Sequence, residues 1–165
     1  HMATHGYFFP DREEKDKEAS VFKASKHPLI RSGLLLAGSA KAYTSGEGMG
    51  DREDGVLTAY EISQMDLSHT KLVVLSACET GLGDIRANEG VYGLQRAFKI
   101  AGARYLIMSL WQVKDLSSQE FMIEFYQQWL NKKLPIPEAF RTAQQKIKNK
   151  YPGSPFHWAG FVLVE

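Results

Sequence analysis

Cysteine is nearly missing from this chain. One thiol, Cys78, excludes an internal disulfide and fits a reducing compartment. An excess of charge of one sign is missing too: 20 Lys and Arg against 19 Asp and Glu leave +1. That balance gives neither the electrostatic footprint of a nucleic-acid binder nor an acidic tail. No apolar run approaches the roughly 18 residues of a membrane span, so direct nucleic-acid and membrane partners are not expected. The opening His1-Met2-Ala3-Thr4 carries neither the basic n-region nor the apolar h-region of a secretory signal. Histidine and cysteine spacings suited to zinc are absent, and so is the Gly-x-Ser-x-Gly elbow of many hydrolases. Gly81-Leu82-Gly83 begins like a dinucleotide fingerprint, but Arg86 stands where the third glycine belongs. No metal and no cofactor are therefore expected.

What is present suits one globular domain. Hydrophobic residues make up 44% and charged residues 24% of 165, enough apolar side chains for a real core. His1 to His5 reads as the last part of a strand; His1-Met2 fits either a cloning scar or native sequence continuing upstream, and a fragment of a longer chain is the favoured expectation. Leu34-Leu35-Leu36 reads as a short strand closed by Gly38. Thr58-Ala59-Tyr60-Glu61 has capping-box spacing and predicts a helix to about Met65. The run from Lys71 to Ala77 is apolar on both faces, as buried parallel strands are. Helices are expected over 89–101 with Gly102 at C′, from an Asp115 cap to Asn131, and over 137–150. Further strands are expected at 105–110 and 161–164, and Pro155 to Phe161 reads as packing strand. Glycine and charge mark 44–55 and 79–87 as the loops able to move, and 11–18 as a solvated charged stretch. Strands alternating with helices predict an α/β three-layer sandwich on a mainly parallel sheet.

Chemistry in such sheets gathers beyond the carboxyl ends of the strands. His5, Cys78 and Trp111 all fall there in this reading. A lone cysteine is most often a small buried hydrophobe. Here Glu79-Thr80-Gly81-Leu82-Gly83 follows at once, and a glycine-bearing loop exposes a thiol. Among His1, His5, His27, His69 and His157, His5 is preferred as its base because Gly6 follows, leaving an N–H to face a substrate oxygen. His69 precedes the Cys78 strand and belongs at the opposite end. Asp51, Asp54, Glu79, Asp84, Glu89 and Asp115 read individually as solvated charges or caps. Together they favour a basic substrate side chain. The stripe Phe121, Phe125, Tyr126 and Trp129 reads as core.

Several segments together resemble the CHAT domain, the caspase-like domain associated with tetratricopeptide repeats. They are Ala3-Thr4-His5-Gly6, Asp54-Gly55-Val56-Leu57-Thr58-Ala59-Tyr60-Glu61-Ile62 and Leu75-Ser76-Ala77-Cys78-Glu79-Thr80-Gly81. Glu89-Gly90-Val91-Tyr92-Gly93-Leu94, Ser109-Leu110-Trp111-Gln112-Val113-Lys114-Asp115 and His157-Trp158-Ala159-Gly160-Phe161 follow in family order. The resemblance covers nearly the whole of 1–165 and identifies it as the C-terminal portion of one such domain, with His1 matching a histidine four residues before the catalytic one. It implies a caspase–hemoglobinase-like fold and a cysteine endopeptidase, with Cys78 as nucleophile and His5 as catalytic histidine. The backbone N–H groups of Gly6 and Cys78 become the oxyanion hole. Asp54, Glu79, Asp84, Trp111 and Asp115 become candidates for substrate binding.

In true caspases the histidine lies about 50 residues before a Gln-Ala-Cys-x-Gly signature. Here the interval is 73 residues and the signature is Ser76-Ala77-Cys78-Glu79-Thr80-Gly81, one residue longer before its glycine. Expected partners are a protein substrate, repeats in the same polypeptide and an activating protein, in a bacterial cytoplasm. The alternative is a catalytically silent caspase-like interaction module.

Overall fold

The structure, a computed structural model, describes residues 1–9, 25, 27–40, 54–76, 88–111 and 113–165, with the backbone alone at 88–92. The stretches expected as loops at 11–18 and 79–87, and all of the one expected at 44–55 but Asp54 and Gly55, lie outside these residues. The elements are β1 (His5–Phe8), β2 (Ser32–Leu35), β3 (Val56–Thr58), α1 (Ala59–Gln64), β4 (Leu72–Leu75) and α2 (Asn88–Ile100). There follow β5 (Tyr105–Ser109), α3 (Asp115–Tyr126), a π-helical turn (Gln127–Asn131), α4 (Ile136–Lys150), a 3-10 turn (Pro155–His157) and β6 (Phe161–Val164).

The capping box forms as its spacing predicts. The Glu61 N–H donates to Thr58 Oγ1 at 3.1 Å, and the Thr58 N–H donates to Glu61 Oε2 at 2.8 Å. Gly102 ends α2 with φ +99°, a conformation open to glycine and costly for other residues. Asp115 does not cap α3. Lys114 holds the cap position without a side-chain bond, and Asp115 is the first helical residue. Its negative charge still suits the positive end of the helix dipole. Pro155 to His157 is a 3-10 turn rather than strand, and the strand begins at Phe161.

The α/β class is observed, but the pairing is mixed rather than mainly parallel. One sheet, β1-β2-β3, is antiparallel throughout. In the other, β4 and β5 run parallel and β6 runs antiparallel to β5. Two helices stand between β5 and β6. The chain leaves along one and returns along the next, so it re-enters the sheet from the far end and must run backwards. β1 and β3 carry little signal in the sequence because His5-Gly6-Tyr7-Phe8 and Val56-Leu57-Thr58 lack the four-residue aliphatic run of β4.

The β4-β5-β6 sheet is apolar on both faces. Val73, Leu75, Leu106 and Met108 pack with Ala59 and Ile62 of α1 and Leu94, Ala97 and Phe98 of α2. Val74 and Ile107 point the other way, onto Phe121 and Phe125 of α3 and Ala139, Phe140 and Ala143 of α4. Phe121 stacks on Phe161 at 4.7 Å between ring centres and meets Phe140 edge-on at 5.3 Å. The aromatic stripe is thus core, as expected.

β2 is held closely from both edges. A Cβ on Gly33 would lie 2.5 Å from the Leu57 carbonyl oxygen and 2.8 Å from the Tyr7 ring. The first of these is backbone and cannot swing aside. Gly33→Ala should therefore lower stability by about 3 kcal/mol, the upper part of the overpacking range. Urea unfolding checks this through a fall in midpoint, and a shift equivalent to less than about 0.5 kcal/mol would contradict it.

α4 is strapped to α3 by two ion pairs. Lys146 Nζ donates to Glu124 at 2.6 Å and Lys150 Nζ to Glu120 at 2.8 Å. The Lys150 bond holds the Glu120 carboxyl below its ordinary value of 4.5. Burial pushes Glu124 up, but the bonds from Lys146 and Gln128 outweigh it and bring it below 4.5. Carboxyls depressed in the folded state add stability that is complete above the unfolded value. That stability is lost as pH falls through the lower folded value. The acid limb of stability below pH 4.5 should therefore flatten in the Glu120→Gln/Glu124→Gln double variant, as read by urea midpoints across pH.

Candidate active site

The residues before β1 belong to the second sheet. Met2 forms a parallel bridge with Leu75. The Met2 N–H donates to the Val74 carbonyl at 2.8 Å, and the Ser76 N–H donates to the Met2 carbonyl at 3.1 Å. The chain then leaves β4 and enters β1, where His5 pairs with Leu35 and Gly6 with Leu34. Thr4 helps the change of sheet, its hydroxyl donating to the Leu35 carbonyl. The sequence reading of His1 to His5 as a strand end is right for Met2. His5 itself opens a new strand in the other sheet.

His5 is exposed and Gly6 is buried in the β1–β2 ladder. Trp111 follows the carboxyl end of β5, which runs parallel to β4. It therefore shares an end of the sheet with Ser76. The Trp111 Nε1–H donates to the Phe156 carbonyl at 3.4 Å, and the two rings lie 5.4 Å apart. Asp54 accepts the Val56 N–H at 2.8 Å, so one carboxylate oxygen serves the turn into β3. Asp115 is exposed at the start of α3. His69 lies in the segment entering β4, at the other end of the strand, as expected. Cys78, Glu79 and Asp84 lie outside the described residues. Among the described residues no group of three or more His, Cys, Asp or Glu side chains could hold a metal ion. No helix among them is long and apolar enough to cross a membrane.

A family model described as CHAT domain matches residues 1–165. The chain belongs to the CHAT family. This family is related to the caspase-like cysteine peptidases. Tetratricopeptide repeat protein 28 of Mus musculus is 36% identical over 112 residues, covering 66% of this chain and 4% of that protein. Tetratricopeptide repeat protein 28 of Homo sapiens is 34% identical over 112 residues, with the same coverage. The match thus spans a small part of each of these relatives.

Sequence reasoning missed one feature of this CHAT domain. His1 sits between two hydroxyls. Its Nε2 lies 3.1 Å from Ser76 Oγ, and its Nδ1 lies 3.1 Å from Tyr126 Oη near the end of α3. Only the long-range pairing of Met2 with β4 brings these residues together, and nothing local in His1-Met2 announces it. Burial pushes the Tyr126 hydroxyl up, so it stays protonated at neutral pH.

Trp111 is seated by a glycine. A Cβ on Gly160 would lie 2.4 Å from Val113 Cγ2 and 3.1 Å from Trp111 Nε1. Gly160→Ala should displace Trp111 from Phe156. With Trp129 and Trp158 replaced by Phe, the remaining emission should shift to the red relative to the same background with Gly160. An unchanged spectrum would show that the seat tolerates the methyl group.

Proposed function

We propose that this CHAT domain is the peptidase portion of a longer protein and cleaves protein substrates through a Cys78–His5 dyad. The observation that carries the reading is the parallel bridge between Met2 and Leu75. Cys78 lies three residues beyond Leu75, and His5 lies three residues beyond Met2. Each residue thus follows a single paired couple by only three positions, which favours a thiol and an imidazole within reach of one another beyond the end of β4. Family membership supports the same pair, and it supports a three-layer caspase-like sandwich as the frame. The helices packed on both faces of β4 and β5 are in keeping with that frame.

In the proposed reaction the Cys78 thiolate attacks the scissile carbonyl. His5 takes the thiol proton and returns it to the leaving amine. Water then attacks the thioester carbonyl and gives a proton to His5; the carbon–sulfur bond breaks, the carboxylic acid leaves, and His5 returns that proton to the Cys78 thiolate. The backbone N–H groups of Cys78 and Gly6 receive the developing oxyanion, at roughly 3–4 kcal/mol per donor. Trp111 and the acidic residues Asp54, Glu79, Asp84 and Asp115 border the substrate path in this reading. The relatives named for tetratricopeptide repeats support such repeats in the same polypeptide here, and an activating protein partner fits a peptidase held silent until its loops are ordered.

A second reading is a caspase-like module that binds without cutting, in keeping with relatives named for tetratricopeptide repeats.

Two measurements separate the readings. Cys78→Ala and His5→Ala should each abolish cleavage of a protein substrate by the intact protein while far-UV circular dichroism stays unchanged. Full proteolysis by Cys78→Ala would sink the dyad. Alkylation of Cys78 no faster than that of a model thiol, with partners present, would favour the binding module.

A further inference from the structure

We infer that His1 is a positioning residue that sets the exit of β4 through a clamp on Ser76. Ser76 is gripped twice by two consecutive residues. Its N–H donates to the Met2 carbonyl at 3.1 Å, and its hydroxyl lies 3.1 Å from His1 Nε2. The first bond fixes how far Ser76 advances along the sheet. The second fixes which way its side chain, and with it the strand pleat, is turned.

The imidazole can only set Ser76 if it is itself held, and its other nitrogen supplies the hold. Nδ1 lies 3.1 Å from Tyr126 Oη, and the two rings stand 5.8 Å apart. Tyr126 in turn packs edge-on to Phe125 at 5.1 Å and beside Trp129 at 6.1 Å. Phe125 is wholly buried in the core beneath β4 and β5. The clamp thus runs from the interior of α3 through the tyrosine and the imidazole to a residue two positions before Cys78.

The pleat makes this arrangement self-consistent. Leu75 and Met2 pack toward α1 and α2, while Val74 packs toward α3 and α4. Successive side chains alternate in a strand, so Ser76 and His1 fall on the α3 side together. Both partners of the imidazole are hydroxyls, which donate or accept by rotating. Either neutral tautomer of His1 therefore completes the clamp.

This inference rests on the proposed role of Cys78 for its catalytic consequence, but the clamp can be measured without it. Hydrogen exchange at the Ser76 amide, read by NMR on the intact protein, should rise about tenfold in His1→Ala, because the grip is a local opening barrier. Tyr126→Phe should raise it less, and His1→Gln, whose amide still reaches one hydroxyl, least. With peptide substrate, kcat should fall about tenfold in His1→Ala with KM within about twofold, and His1→Gln should recover part of the loss. Thermal unfolding should stay within a few degrees, since His1 is exposed. Unchanged Ser76 exchange in His1→Ala overturns the clamp. A raised KM with kcat intact also overturns it and makes His1 a substrate contact. Loss of the dyad reading, seen as full activity in Cys78→Ala, leaves the exchange measurement to decide the clamp alone.

Discussion

Two backbone hydrogen bonds, one on each side of Met2, join the first residues of the chain to β4. The contact is between segments more than seventy positions apart in sequence. Its closure entropy is offset by the packing of Met2 against the core under α1 and α2. Once it forms, the chain has only Ala3 and Thr4 in which to cross to β1. His5 is then confined to the seam between the two sheets.

The second sheet can hold that seam still because it is buried on both sides. Alternate residues of β4 and β5 serve two separate cores, one with α1 and α2, the other with α3 and α4. A shift of β4 by one residue would exchange the two sets and place every side chain against the wrong helices. The strand register is therefore set by about as many apolar contacts as its length allows.

Much of this was legible in the residues. The apolar run Leu72-Val73-Val74-Leu75, the capping box at Thr58 and the stripe through Phe121 and Phe125 each carry a strong local signal. Asp115 misled because a carboxylate one residue before a helical pattern looks like a cap, whereas the helix takes Asp115 as its first residue and leaves Lys114 at the cap. β1 and β3 were invisible because His5-Gly6-Tyr7-Phe8 and Val56-Leu57-Thr58 lack the four-residue aliphatic run that marks β4. The antiparallel entry of β6 depends on the count of helices crossed, not on anything in Phe161-Val162-Leu163-Val164. The cluster of His1, Ser76 and Tyr126 is a product of tertiary pairing alone. The dyad candidates were recognised by sequence pattern. The structure adds the register that relates the Met2 segment to β4.

Thr58 ends β3 and caps α1 with the same residue. No linker stands between the strand and the helix, and the cap bonds lock both backbone and hydroxyl at the joint. In mechanical terms the pair is a bent lever with no slack. α1 lies on the sheet that carries β4, while β3 belongs to the sheet that carries His5. A push on α1 therefore becomes a displacement of β3, and the load reaches β1 through β2 rather than dissipating in a loop.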